Sequence, residues 1–144
     1  MSITLHPLAE LYRKAREVYE RASKEIERVE ARLREVEARL ARHTAELARR
    51  YGVGYLTVKT VRNRQGRKYR YPVWRTIEGR DVYIKGREAE EILRLREEQR
   101  RLRIQYNRYR RALWAAKLYM QQLKEYKDVC IAEDGEYVDC PRQG

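Results

Sequence analysis

Between Leu8 and Tyr51 apolar or small residues recur as Leu8, Leu11, Ala15, Val18, Ala22, Ile26, Val29, Leu33, Val36, Leu40, Thr44, Leu47 and Tyr51. Twelve steps cover 43 residues, a mean of about 3.6, so one narrow stripe stays on one face of a nearly straight helix. The pattern predicts a helix over 7–51, with Pro7 in its first turn and Gly52 just past its end. Such a helix would be roughly 65 Å long, and its stripe needs a partner. A second stripe runs through Ile92, Leu95, Gln99, Leu102, Tyr106, Tyr109, Leu113, Ala116, Met120 and Leu123, and predicts a helix over 87–127. Two stripes of similar length around a compact insert predict an antiparallel helical hairpin with coiled-coil packing. Ile104, Trp114, Leu118, Tyr119 and Tyr126 fall off the second seam, and a two-helix hairpin cannot cover them. A homodimer through helix 2 is therefore expected. The competing cover is the tail, folding back through Val129, Ile131, Tyr137 and Val138.

Between the helices, over 52–86, the period drops to two. "GYLTVKTV", "RKYRYPVWRTI" and "RDVYIK" are rich in β-branched and aromatic residues, with "RNRQG" and "EG" as turns between them. This predicts a three-stranded antiparallel meander at the tip of the hairpin. The fold class is mainly α with a small β insert, in a single domain over 1–144 that ends in a cysteine-flanked tail over 128–144. With "EG" as a two-residue turn, Ile77 lies opposite Arg80, Arg75 opposite Val82, and Val73 opposite Ile84. Alternation then gives a packed face of Leu56, Val58, Tyr69, Tyr71, Val73, Val82 and Ile84. The open face collects Tyr55, Thr57, Lys59, Lys68, Arg70, Trp74, Tyr83 and Lys85. Pro72 suits an edge strand or a bulge, where it could move this register by one.

Charge gives the open face a purpose. The chain carries 34 Lys and Arg against 22 Asp and Glu, net +12, an excess that makes polyanions the natural partners. It is unevenly placed: residues 52–86 hold nine basic and two acidic side chains, whereas 128–144 hold one basic and five acidic. Clustered cations neutralise phosphates, aromatic planes stack on bases, and a narrow ribbon fits a major groove. The candidate nucleic-acid contacts are Lys59, Arg64, Arg67, Lys68, Arg70, Trp74, Tyr83 and Lys85, with DNA expected before RNA. A solvated face whose cations guard against edge aggregation is the plainer alternative. The acid-free run "RRLRIQYNRYRR" over 100–111 could extend the anionic-ligand surface. On helix 1, pairs such as Glu17 with Arg21, Glu30 with Arg34 and Glu35 with Arg39 read as ordinary exposed supports.

Remaining chemistry is sparse. Cys130 and Cys140 flank an alternating segment with an Asp134, Gly135 turn, so a small hairpin could join them as a disulfide. Free thiols are the main alternative. Zinc would need four ligands, and besides the cysteines only His6 and His43 are present, without ligand spacing. His43 lies near the stripe and reads as a packing residue. There is no Gly-rich phosphate loop and no nucleophile elbow. Tyr83 or Tyr119 as a strand-transfer nucleophile would need an Arg/His pocket. The chain is expected to be a non-enzyme with no cofactor, no metal, no small-molecule substrate and no membrane partner. No apolar run suggests a signal peptide or a span, so a cytoplasmic protein is expected.

The segment "GRKYRYPVWRTIEGR" followed by "VYIKGREAEEILRLREEQRRL" resembles a group of small archaeal helix, meander, helix proteins over about residues 52–105. It is also similar to the arm-type three-stranded DNA-binding domain of tyrosine integrases, whose last strand leads into a Glu-Ala-Glu helix like Arg87 to Leu93. That resemblance implies a sheet face in the major groove and Lys68, Arg70, Trp74, Tyr83 and Lys85 as contacts. The long first helix and the lack of a catalytic domain depart from it. Prefoldin-like subunits also place β-hairpins between coiled-coil helices, which makes an oligomerising scaffold the second functional expectation.

Overall fold

Pro7–Tyr51 forms helix α1 and Gly86–Lys124 forms helix α2, in a computed structural model that describes residues 7–126, 130–132, 134–138 and 140. Among these residues no helix is long and apolar enough to cross a membrane. The chain divides into two compact units, one from Ala31–Arg103 and one from Met1–Glu30 with Ile104–Gly144. Both helices contribute to both units, and they run antiparallel in each.

In the unit Ala31–Arg103, Arg32 Nε donates to Glu98 Oε1 at 2.6 Å and an Arg50 guanidinium nitrogen donates to Glu88 Oε1 at 2.6 Å. The early end of one helix segment thus lies beside the late end of the other. Val36, Leu40, Leu47, Ile92, Leu95 and Leu102 are buried, as the spacing predicts. The other unit buries smaller residues, namely Ala9, Ala15, Ala22, Val29 and Ala116, together with Tyr12 and Leu123. There the expected stripe is displaced, since Leu11 and Val18 are exposed and Ala9 and Tyr12 are buried. An aromatic ring explains the displacement: Tyr12 lies 5.3 Å from the Lys124 ammonium and against the tail. The three expected i,i+4 pairs on α1 do not form either. Glu35 pairs with Arg32, three residues before it.

The meander comprises β1 (Gly54–Arg62), β2 (Lys68–Thr76) and β3 (Asp81–Tyr83) in the order β1-β2-β3. Leu56 faces Trp74, Lys59 faces Tyr71, and Arg62 faces Lys68. On the other side Val73 faces Tyr83, Trp74 faces Val82, and Arg75 faces Asp81. This is one residue away from the expected register, and the turn is the reason. Thr76 N donates to Arg80 O at 2.9 Å and Gly79 N to Thr76 O at 2.9 Å, so the loop is Ile77–Glu78–Gly79, three residues instead of two. Gly79 has φ 89°, the left-handed position that closes such a loop and that a side chain would strain. The same pair of hydrogen bonds links Asn63 with Arg67 around Gly66 and Ala132 with Glu136 around Gly135.

Pro72 lies in the central strand, not on an edge, opposite Val58. Its carbonyl accepts from Ile84 N at 3.1 Å, and pairing with β3 starts only at Val73. A proline cannot donate to a third strand, so the sheet continues past Pro72 as a two-stranded ribbon.

In the tail, β4 (Cys130–Ile131) pairs antiparallel with β5 (Tyr137–Val138), and a disulfide joins Cys130 to Cys140 with Cα atoms 4.9 Å apart. Closing a loop of this size contributes roughly 2 to 3 kcal/mol to the order of the hairpin. The hairpin rests on α1. Glu136 is ion-paired with Arg13, and a Cβ added at Gly135 would lie 3.2 Å from Arg13 Cγ and 3.3 Å from Tyr12 Cδ1. It does not cover the α2 patch: Ile104, Leu118, Tyr119 and Tyr126 are exposed, and Trp114 is 65% exposed. Val129 and His6, named above for the lid and for zinc, lie outside the described residues.

Candidate nucleic-acid interface

The register sorts the meander into two faces with opposite roles. One face takes Leu56, Trp74 and Val82, and Ile84 follows in alternation. These residues join Leu47, Ala48 and Tyr51 of α1 with Ala89 and Ile92 of α2 in one hydrophobic core. Trp74 is 0% exposed, and its Nε1 donates to Gly52 O at 2.9 Å. A buried indole needs such an acceptor, and the carbonyl just past the end of α1 supplies it. Trp74 is therefore a core anchor, and its assignment to the open face as a nucleic-acid contact is overturned. The α2 guanidinium of Arg96 donates to Leu56 O at 2.8 Å, which ties β1 to the same helix.

Further along the ribbon the same face changes character. Past Pro72 it carries Thr60, Arg62, Lys68 and Arg70, all exposed. Arg64 and Arg67 are exposed in the adjoining loop, where Asn63 Oδ1 accepts from Gln65 N and Arg67 N, both at 2.9 Å. Residues 54–77 contain no Asp or Glu. Among the described residues no carboxylate pairs with Arg62, Arg64, Arg67, Lys68 or Arg70, so their charge is available to an external anion.

The opposite face is aromatic. Tyr55, Thr57, Lys59, Val61, Tyr69, Tyr71, Arg75, Asp81 and Tyr83 share it by register, together with Val73, which is fully buried among them. Tyr69 and Tyr71, expected to be packed, are each 41% exposed, and Tyr83 is 44% exposed. Their rings touch: Tyr69 and Tyr71 are stacked with centroids 6.4 Å apart, and Tyr83 meets Tyr71 edge-on at 6.1 Å. The cations here are partly neutralised. Arg75 Nε donates to Asp81 Oδ1 at 2.8 Å, and Lys59 Nζ lies 3.7 Å from Asp81 Oδ2 and 6.0 Å from the Tyr83 ring. Arg75, with help from Lys59, holds the Asp81 carboxyl below its usual range, and Asp81 in turn raises Arg75.

The expected contact residues are thus separated. Lys59 and Tyr83 lie on the aromatic face, Lys68 and Arg70 on the basic one, Arg64 and Arg67 in the loop, and Lys85 is exposed beyond β3. Arg62, Tyr69 and Tyr71 are surface residues that the expected register left out. The signal that would have found them is the repeated triplet before Arg, "RQG" and "IEG", each a three-residue loop ending in Gly. His43 is a packing residue, half-buried with Nδ1 3.6 Å from Glu88 and Nε2 3.2 Å from Glu91. Comparison of the chain with protein-family models, with curated proteins and with solved structures finds no match.

Proposed function

We propose that the protein is a non-catalytic nucleic-acid-binding protein that grips the sugar–phosphate backbone with the end of the β1–β2 ribbon. The observation that carries the reading is the cluster of Arg62, Arg64, Arg67, Lys68 and Arg70, exposed together without a carboxylate partner among the described residues. Cations left unpaired on a short ribbon are not needed for its packing, which Trp74 and Leu56 supply at the other end. Phosphate neutralisation is the chemistry they suit. A salt-dependent titration with duplex DNA, single-stranded DNA and RNA tests it. If about five phosphates are neutralised, log K falls against log salt with a slope of about −4 to −5 on duplex. Absence of binding to every form at low salt would reject the reading.

The exposed Ile104, Trp114, Leu118, Tyr119 and Tyr126 favour a second property, self-association through α2. Burying one such side chain contributes roughly 1.5 to 3 kcal/mol, so several can drive a two-fold contact. Two copies would double the basic ribbons per particle and raise avidity for a long polyanion. Light scattering that returns 17.5 kDa at all micromolar concentrations would exclude it.

A further inference from the structure

We infer that the aromatic face of the meander is a stacking platform for unpaired bases, so that the ligand of this ribbon is single-stranded nucleic acid. The inference rests on the reading that the ribbon binds phosphates, and adds which strand form it takes. Three observations carry it. First, Tyr69, Tyr71 and Tyr83 remain substantially exposed although Trp74 and Val73 of the same sheet are fully buried. A folded chain that can bury a tryptophan in this sheet leaves three adjacent tyrosines to solvent.

Second, the rings are held in place before any ligand arrives. Tyr71 is stacked against Tyr69 and met edge-on by Tyr83, and Lys59 lies over the Tyr83 ring. Mutual contacts of this kind lower the cost of fixing the rings when a planar partner is added. Third, the charge around them suits a polyanion and discourages a basic or purely apolar protein partner. Arg64 and Arg67 stand in the loop at the ribbon tip beside Tyr69, Arg62 and Lys68 flank that tip from the other face, and Asp81 is the one carboxylate that the strands themselves contribute. Every base has a π-face, so tyrosines pair with bases without regard to sequence. In a duplex those faces are already occupied by neighbouring base pairs. A single strand can place its backbone along the cationic end and turn its bases onto the rings.

The test compares three ligands of one length by fluorescence anisotropy at low salt: an oligothymidine, an abasic strand with the same backbone, and a duplex. The expected result is that wild-type protein binds oligothymidine roughly tenfold or more tighter than the abasic strand. The double variant Tyr71→Ala, Tyr83→Ala should bring that ratio close to one, while Tyr71→Phe keeps it. The wild-type comparison needs no substitution, so it stands even if a variant folds poorly. Near-UV circular dichroism from Trp74 checks the packing of each variant. Equal affinity for oligothymidine and the abasic strand would overturn the stacking platform and leave backbone binding in place. A duplex bound as tightly as oligothymidine, with both affinities unaffected by the double variant, would overturn it too. Failure of all three ligands to bind would remove both readings. Loss of self-association in the double variant, without any binding of nucleic acid, would assign the face to a protein contact instead.

Discussion

Tyr71 and Trp74 stand three residues apart in one strand, and the sheet sends them to opposite fates. Trp74 is wedged between the helices with its indole nitrogen bonded to Gly52 O, whereas Tyr71 is open to solvent in the middle of a ring cluster. Both are aromatic, both sit among basic neighbours, and composition does not separate them. What separates them is parity, which in an antiparallel sheet is set by the loops. Identity of the residue therefore carries less information about its role than the number of residues in the turn beside it.

The strongest way to break this comparison is to truncate each aromatic in turn. Trp74→Ala should cost about 3–5 kcal/mol, the range for removing a fully buried aromatic, read as a lowered urea midpoint. Tyr71→Ala should cost under about 1 kcal/mol and leave that midpoint nearly in place. Similar losses at the two positions would mean that the faces are not distinct.

A smaller effect is expected at Gly54, where β1 begins. A Cβ there would lie 2.3 Å from Arg75 O, a backbone atom that cannot swing aside. Gly54→Ala should therefore cost roughly 1–3 kcal/mol and loosen the root of the sheet, with Trp74 fluorescence shifting to the red. Unchanged emission would show that the strands can separate there without disturbing the core.

The smallest effect sharpens the comparison electrically. Asp81 neutralises Lys59 and Arg75 on the aromatic face, so Asp81→Asn should raise affinity for single-stranded DNA about threefold at low salt, with a steeper salt slope. The pH dependence has a defined sign. The folded Asp81 pKa is depressed, chiefly by the Arg75 hydrogen bond, so the pair's contribution is present above the unfolded carboxylate value and is lost as pH falls through the lower, folded one. Wild type and Asp81→Asn should converge in affinity only below a pH of about 4. Convergence at neutral pH would mean that Asp81 does not hold these cations.

Much of the architecture was legible in the residues because each signal was repeated many times. The helical stripe of α1 is sampled thirteen times between Leu8 and Tyr51, so errors at Leu11 and Val18 did not affect the reading of a helix. The basic insert was equally plain, being a sum over the segment. The faces were not, because a period of two turns a single uncertain loop residue into a complete exchange. Reading "EG" instead of "IEG" placed Tyr69 and Tyr71 inside and Trp74 outside. Pro72 does not shift the register: it ends the pairing with the third strand and leaves the alternation intact. Tyr12 carries no such local signal, since its burial depends on a tail more than a hundred residues away.

The hydrogen bond from Arg96 to the Leu56 carbonyl has a consequence for the protein in concentrated solution. Among the described residues β1 pairs only with β2, which leaves its other side an edge, and Arg96 occupies that edge at Leu56. From Val58 to Arg62 the edge runs on beyond this cover, long enough to accept a strand from another molecule. An open edge of this length invites edge-to-edge pairing that extends the sheet from one molecule into the next, and natural proteins commonly answer it with charge. Arg62, Arg64, Arg67, Lys68 and Arg70 make the ribbons of two molecules repel one another. That protection is only as durable as its range, which shrinks from about 10 Å at 0.1 M salt to about 3 Å at 1 M. Raising the salt to strip a nucleic acid from this protein would also remove what keeps its exposed strands apart, so turbidity should appear in the salt range where binding is lost.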